Sequence, residues 1–163
     1  MRALLYITIA ITLFACGGSE SVDVLGPIMG QNKGHFRGNS IGDKYQDVLK
    51  QAATDNPIST EEGVLNCEFK VEDSELLVRY EFDQEKLYAI QADIFFADTA
   101  SLNSFQQSLV NQYNSNFGEV NLDGGFYVWR HRESDAEVEF ALADESIEFG
   151  QPKLSLTIYN FDN

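Results

Sequence analysis

The sequence predicts an α+β domain of two pseudo-repeats, each one helix followed by a three-stranded antiparallel meander, joined in a six-stranded sheet with both helices on one face. Three observations predict it. Two segments carry apolar residues at the three-and-four spacing of one helical face: Tyr45, Val48, Leu49 and Ala52 in the first, Leu102, Phe105, Leu109, Val110, Tyr113 and Phe117 in the second. Each is followed by three runs in which apolar and polar residues alternate as in half-buried strands. Displacing the chain by 60 residues lays Tyr45 on Phe105, Leu49 on Leu109, Cys67 on Tyr127, Phe69 on Trp129, Val78 on Val138 and Tyr80 on Phe140.

The chain opens on Arg2 and an apolar run from Ala3 to Ala15 of 13 residues, short of the ~20 that cross a bilayer as a helix. It reads as the core of a signal peptide. The run closes on Leu13-Phe14-Ala15-Cys16, which resembles a bacterial lipobox, with leucine three residues before the cysteine and a small residue directly before it. The resemblance implies a signal peptide over residues 1–15 and lipid attachment, including palmitate, at Cys16. In such lipoproteins an aspartate after the cysteine favours the inner membrane; Gly17 stands there instead, which implies the outer membrane. Residues 16–34 carry Gly17-Gly18-Ser19, Gly26-Pro27 and Gly30 without apolar periodicity, and read as a flexible tether. Residues 35–163 read as a single domain.

Within that domain, Ser40 to Asp43 has the form of a capping box, predicting a first helix from about Gly42 to Ala53 that Asp55-Asn56-Pro57 stops. Val64 to Val71, Glu75 to Phe82 and Lys86 to Phe96 alternate as strands. Gly118 stands where a helix-terminating glycine belongs after the second apolar stripe, and strand-like runs follow over Phe126 to His131, Glu137 to Leu142 and Lys153 to Phe161. The last strands align only after a further shift of 6 residues, which makes Glu145 to Gln151 an insertion.

With 26 acidic against 11 basic residues the formal charge is −15. A field of that sign repels nucleic-acid phosphate and anionic headgroups, so nucleic acid is not an expected partner and the lipid is the expected attachment to the membrane. Lipidation of Cys16 leaves Cys67 without a partner. It alternates with Leu65, Phe69 and Val71, which predicts a small buried residue, and its neighbours Glu68 and Glu72 oppose the electropositive setting that a nucleophilic thiol needs.

A signal peptide, a cysteine anchor and helix-plus-meander units together resemble small bacterial envelope lipoproteins of the outer-membrane-assembly type (SmpA/OmlA-like) and the related beta-lactamase-inhibitor-like repeat. The residues that carry the resemblance are Gly42-Asp43 to Leu49, a glycine leading into an amphipathic helix, and the helix exit from Tyr113 to Gly118 followed by Trp129. It implies the fold more than an activity.

If Cys67, Phe69, Val78, Tyr80, Ile90, Trp129, Phe140 and Leu156 face the helices, the opposite face holds Leu77, Leu87, Phe95, Phe126, Val128, Tyr159 and Phe161, with Arg79 and Arg130 among them. A register change of one residue would turn Trp129 and Tyr127 outward instead. Apolar patches rimmed by polar groups mark interaction sites, and aromatics with arginine dominate interface energetics. The partner-binding set is therefore Leu77, Arg79, Phe95, Phe126, Val128, Arg130, Tyr159 and Phe161. An alternative is an anion or small-molecule site built from the basic islands His35, Arg37, Arg130, His131 and Arg132, although such groups serve more often as surface ion pairs. No ligand-spaced histidines or cysteines suggest a metal, no calcium-loop or nucleophile-elbow pattern occurs, and no cofactor is implied. The expectation is a non-enzymatic binding module in the cell envelope whose partner is another envelope protein, with a hydrolase using unpaired carboxylates the least favoured reading.

Overall fold

The structure, a computed structural model, describes residues 24–30, 34–133 and 136–162. The expected signal peptide, Cys16 and the tether up to residue 23 lie outside the described residues.

The architecture is α+β, built on one antiparallel sheet. Helices α1 (Leu25–Met29) and α2 (Tyr45–Ala52) precede strands β1 (Pro57–Glu61), β2 (Val64–Val71), β3 (Ser74–Asp83) and β4 (Lys86–Phe95). Helix α3 (Thr99–Phe117) precedes β5 (Asn121–Asp123), β6 (Phe126–Arg132), β7 (Glu137–Asp144), α4 (Ser146–Phe149) and β8 (Lys153–Asn160). The strand order is β1-β2-β3-β4-β8-β7-β6-β5. Each half of the chain forms a four-stranded meander, and the halves join where β4 meets β8 with Ala92 opposite Leu156.

The expected six-stranded sheet is thus corrected to eight strands. The additions, β1 and β5, are the two edges. Both are almost wholly exposed, so neither shows the apolar alternation that reveals a strand with one buried face. Short, polar edges also discourage pairing with other chains.

One core fills the space between the sheet and the helices. Val48 and Ala52 of α2 and Leu102, Phe105, Leu109 and Tyr113 of α3 share it with Cys67, Val78, Tyr80, Ile90, Trp129, Phe140 and Leu156, while Phe69 packs at its margin. Both long helices therefore lie on one face, and the register with Trp129 inward is the one adopted: Trp129 pairs with Phe140 and is buried. Leu87 departs from its expected outward place. The β3–β4 register shifts between Glu81 and Phe82, which sets Phe82 opposite Leu87. This bulge inserts Tyr88 and returns Leu87 to the core, where it is 1% exposed.

Two helix starts show how local sequence meets tertiary context. Asp98 accepts the Ser101 N–H at 2.7 Å and caps α3, and Gly118 ends it at φ 96° with its N–H on the Asn114 carbonyl. Helix α2 begins at Tyr45, later than Gly42. The Asp43 carboxylate does reach back to the Ser40 N–H at 2.7 Å, but Gly42 N–H bonds Leu87 O, Leu87 N–H bonds Asp43 O and Tyr45 N–H bonds Glu85 O. Those bonds tie residues 42–44 to the β3–β4 hairpin before the helix begins.

The N-terminal part of the folded unit lies within the stretch that reads as tether. Leu25–Met29 form α1, with Ile28 fully buried. Arg37 holds it in place: its guanidinium donates to the Pro27 and Ile28 carbonyls at 3.1 and 3.0 Å, and forks onto both oxygens of Asp55 at 2.7 Å. It also stacks 4.4 Å from the Phe69 ring centre. A cation at the carbonyl end of a helix complements its dipole.

Candidate functional site

The face of the sheet opposite α1, α2 and α3 is the candidate site. Cross-strand register defines it: Arg79, Gln91, Thr157, Ala141 and Val128 form one row across β3, β4, β8, β7 and β6, since directly paired residues point the same way. Glu81, Ala89, Tyr159, Glu139 and Arg130 form the adjacent row, and Glu68, Leu77, Asp93 and Ser155 another. All eight residues of the expected partner-binding set fall on this face. Leu77, Phe126 and Phe161 are 40%, 45% and 41% exposed, whereas Phe95, Val128 and Tyr159 are half-buried.

Small side chains occupy the middle of the face, at Ser155, Thr157, Ala141 and Ala143. A groove of about 430 Å³ runs over it, lined by Ile58, Leu77, Arg79, Gln91, Asp93, Ser155 and Thr157 among others. It combines exposed apolar carbon with a cation, an anion, an amide and two hydroxyls, the mixture expected of a protein contact rather than of an enclosed ligand cavity.

Polar networks stiffen both flanks. Arg79 Nε donates to Glu81 at 2.7 Å, and the Tyr88 hydroxyl, placed by the bulge, donates to the other oxygen. Burial works to raise the Glu81 pKa, but the bonds from Tyr88 and Arg79 outweigh it and hold the carboxyl below its usual range. On the far side Arg130 donates to Glu139 at 2.6 Å and lies 4.0 Å from the Phe161 ring centre. The Tyr159 hydroxyl donates to the remaining Glu139 oxygen. Burial, then the bond to Glu139, pushes the Tyr159 hydroxyl up to about 12, so it stays a donor.

At one end the insertion expected at Glu145 to Gln151 folds as α4 against the same face. Lys153 is 2% exposed beneath it and bonds Glu145 at 2.7 Å and Asp93 at 3.1 Å. Burial works against its charge, but the two carboxylates prevail and raise its pKa. Phe149 and the wholly exposed Ile147 project from this turn, extending the apolar surface that starts at Phe95, whose ring centre is 6.3 Å from that of Phe149. Sequence periodicity does not find Ile147, Phe149, Glu139 or Lys153. An eight-residue connection between two strands was the only signal for the first two, and the last two acquire their roles from register alone.

The five residues of the alternative anion site do not converge on one patch. His35 and His131 point to the helix side, Arg130 and Arg132 to the open face. His35 Nε2 bonds Glu133 at 2.7 Å and its Nδ1 accepts the Ile41 N–H at 3.1 Å. Arg37 is committed to Asp55, Arg130 to Glu139, and Arg132 to Glu137 at 3.0 Å. His131 packs its ring 5.2 Å from that of Phe117. Cys67 is free, and buried as expected. Among the described residues no group of three or more His, Cys, Asp and Glu is placed to hold a metal ion, and no helix is long and apolar enough to cross a membrane.

No protein-family model, no curated protein and no solved structure matches this chain.

Proposed function

We propose that this chain is a lipid-anchored cell-envelope protein, attached through Cys16 at the outer membrane, that binds another envelope protein through the open face of its sheet and carries out no catalysis. One observation supports the binding reading above all. The described helices α1 to α3 all cover one face, while the other leaves Leu77, Phe126 and Phe161 exposed beside arginines that carboxylates and rings hold in fixed positions. Preorganised arginine and aromatic groups lose little freedom on association, which favours affinity. The arginines on this face are already paired with carboxylates, which weighs against an anion as their ligand. The two helix-plus-meander halves, matching at the 60-residue displacement, are read as pseudo-repeats, which accounts for a broad sheet face built from one small chain.

Photo-crosslinking in cells from residues introduced at Leu77 and Phe126, followed by detergent extraction and mass spectrometry, tests this reading. The expected result is one reproducible envelope partner captured from both positions and lost in a folded Phe126→Asp variant. Cys16→Ala should move the protein out of the membrane fraction. Absence of any crosslinked partner, with the chain folded and still membrane-bound, would overturn the docking role.

A further inference from the structure

The turn between β7 and β8 closes one end of the open face and presents apolar carbon on a fixed frame. Ile147 is wholly exposed and Phe149 half exposed. Beneath them Glu145 N–H donates to the Lys153 carbonyl at 3.0 Å, Phe149 N–H to the Glu145 carbonyl at 3.1 Å, and Lys153 N–H to the Ser146 hydroxyl at 3.1 Å. The Lys153 ammonium sits against the Phe149 ring while it bonds Glu145 and Asp93.

Taking an ammonium out of water is costly even when carboxylates pair with it. What the buried lysine supplies is position. Two carboxylates and a ring converge on one nitrogen, so Phe149 and the backbone that carries Ile147 are held before any partner arrives. Apolar side chains presented on an ordered frame lose little freedom on association, and a few such residues carry most of the energy of an interface.

Continuity and charge indicate what the turn meets. Asp93, which bonds Lys153, also lines the groove of the open face together with Ser155, so turn and groove form one surface. Around Ile147 the charges have one sign. Asp144, Glu145 and Glu148 lie in the segment Asp144 to Phe149, which holds no basic residue. Lys153 answers Glu145, whereas Glu148 is exposed and has no hydrogen-bond or ion-pair partner among the described residues. A second copy of this chain would set carboxylates against carboxylates, and anionic headgroups would be repelled in the same way. A cationic rim on a partner protein would be attracted.

We propose that Ile147 and Phe149 enter an apolar socket on the partner protein, that lysine or arginine rims this socket, and that the turn holds the complex together. This rests on the docking role proposed above.

The test places p-benzoylphenylalanine at the exposed Gln151, beside the turn, or at Leu77 on β3, in the full chain in cells, and combines each with variants of the turn. Both positions should capture the same protein, and the peptide joined to Gln151 should hold apolar residues with lysine or arginine among them. Ile147→Asp should lower capture from Leu77 about tenfold, Glu148→Lys should lower it by a smaller factor, and Ile147→Leu should retain it. Both Ile147 and Glu148 are exposed, so urea midpoints of the variants should match the parent. Undiminished capture from Leu77 in Ile147→Asp would overturn this proposal and leave the docking role standing, whereas no capture from Leu77 in the parent would overturn both. A phospholipid, a second copy of the chain or an acidic peptide joined to Gln151 would each overturn the basic socket.

Discussion

The ammonium of Lys153 lies 3.5 Å from the centre of the Phe149 ring, and this contact fastens the β7–β8 connection to the open face of the sheet. The same nitrogen bonds Glu145 and Asp93, so one buried cation neutralises two carboxylates while covering an aromatic. Removing one partner of a buried ion pair costs ~3–5 kcal/mol because the other charge is stranded. Glu145 and Asp93 keep 28% and 38% of their side-chain surface in solvent, which lets water replace part of the loss. Lys153→Met is therefore expected to destabilise the fold by about 2 kcal/mol in urea titration and to open residues 146–150 to proteolysis. Asp93→Asn, which leaves Glu145 in place, should cost less. An unchanged midpoint and protease pattern for Lys153→Met would contradict the account.

The β3–β4 hairpin carries a correctable strain. Asp83 pairs with Lys86, leaving Gln84 and Glu85 as a two-residue loop with φ of 47° and 66°. Two positive φ values are the mark of a type I′ turn, which favours Asn-Gly because side chains resist that region. The β5–β6 loop at Gly124 and Gly125 solves the same problem with glycine at φ 58° and 93°. Glu85→Gly should raise stability by about 0.5–1 kcal/mol, the relieved strain exceeding the added freedom of the unfolded chain. The Glu85 carbonyl that receives Tyr45 N–H is retained, so α2 should be unaffected. Paired urea titrations of the parent and Glu85→Gly read the difference, and a lower midpoint in the variant would refute it.

Elements that bury one face were legible because burial imposes a period. Strand β2 coincides with the expected Val64 to Val71, and the core residues Val78, Tyr80, Ile90, Phe140 and Leu156 follow from alternation alone. Edge strands escape that logic, since Pro57–Glu61 and Asn121–Asp123 have no buried face to impose it. Glu62-Gly63 and Gly124-Gly125 were the available cue, each a turn signal just before a recognised strand. Leu87 was misplaced because a bulge reverses the inward-outward count, and nothing in the local sequence announces one. Helix α1 was hidden in glycine-rich surroundings because it is five residues long and buries just two of them, Ile28 and Met29, too few to set a helical period. The eight open-face residues were legible, being set by strand parity. Their carboxylate partners Glu81 and Glu139 were not, because a cross-strand ion pair exists only once register is fixed.

The Arg79–Glu81–Tyr88 network sets one acid-sensitive contribution to stability. Glu81 has a folded pKa below its unfolded value, ordinarily ~4.3. A depressed carboxyl stabilises the fold above the unfolded value and loses that contribution as pH falls through the folded one. Glu81→Gln should therefore be less stable than the parent at pH 7, by less than about 1 kcal/mol because Arg79 is half exposed. The gap should close as pH drops from 5 toward 3. Urea midpoints measured for both proteins across that range test the sign. A gap that widens toward acid would show that Glu81 is strained rather than stabilised in the fold.

Cys67 should be chemically silent in the folded protein. Burial first, and then the negative charge of Asp55, pushes its thiol up to about 11, and it is 1% exposed on the core side of β2. At pH 8 the reactive thiolate is therefore both scarce and inaccessible. Labelling by a thiol reagent such as DTNB must wait for opening of the sheet, so its rate should follow the population of opened molecules and rise steeply through the urea transition. Cys67→Ser places a hydroxyl in the buried core beside its cross-strand partner Val78 and should cost about 1–3 kcal/mol, whereas Cys67→Ala leaves only a small void and should cost less. Rapid labelling of the native protein, at a rate independent of low urea, would place β2 in a more open state than its packing implies.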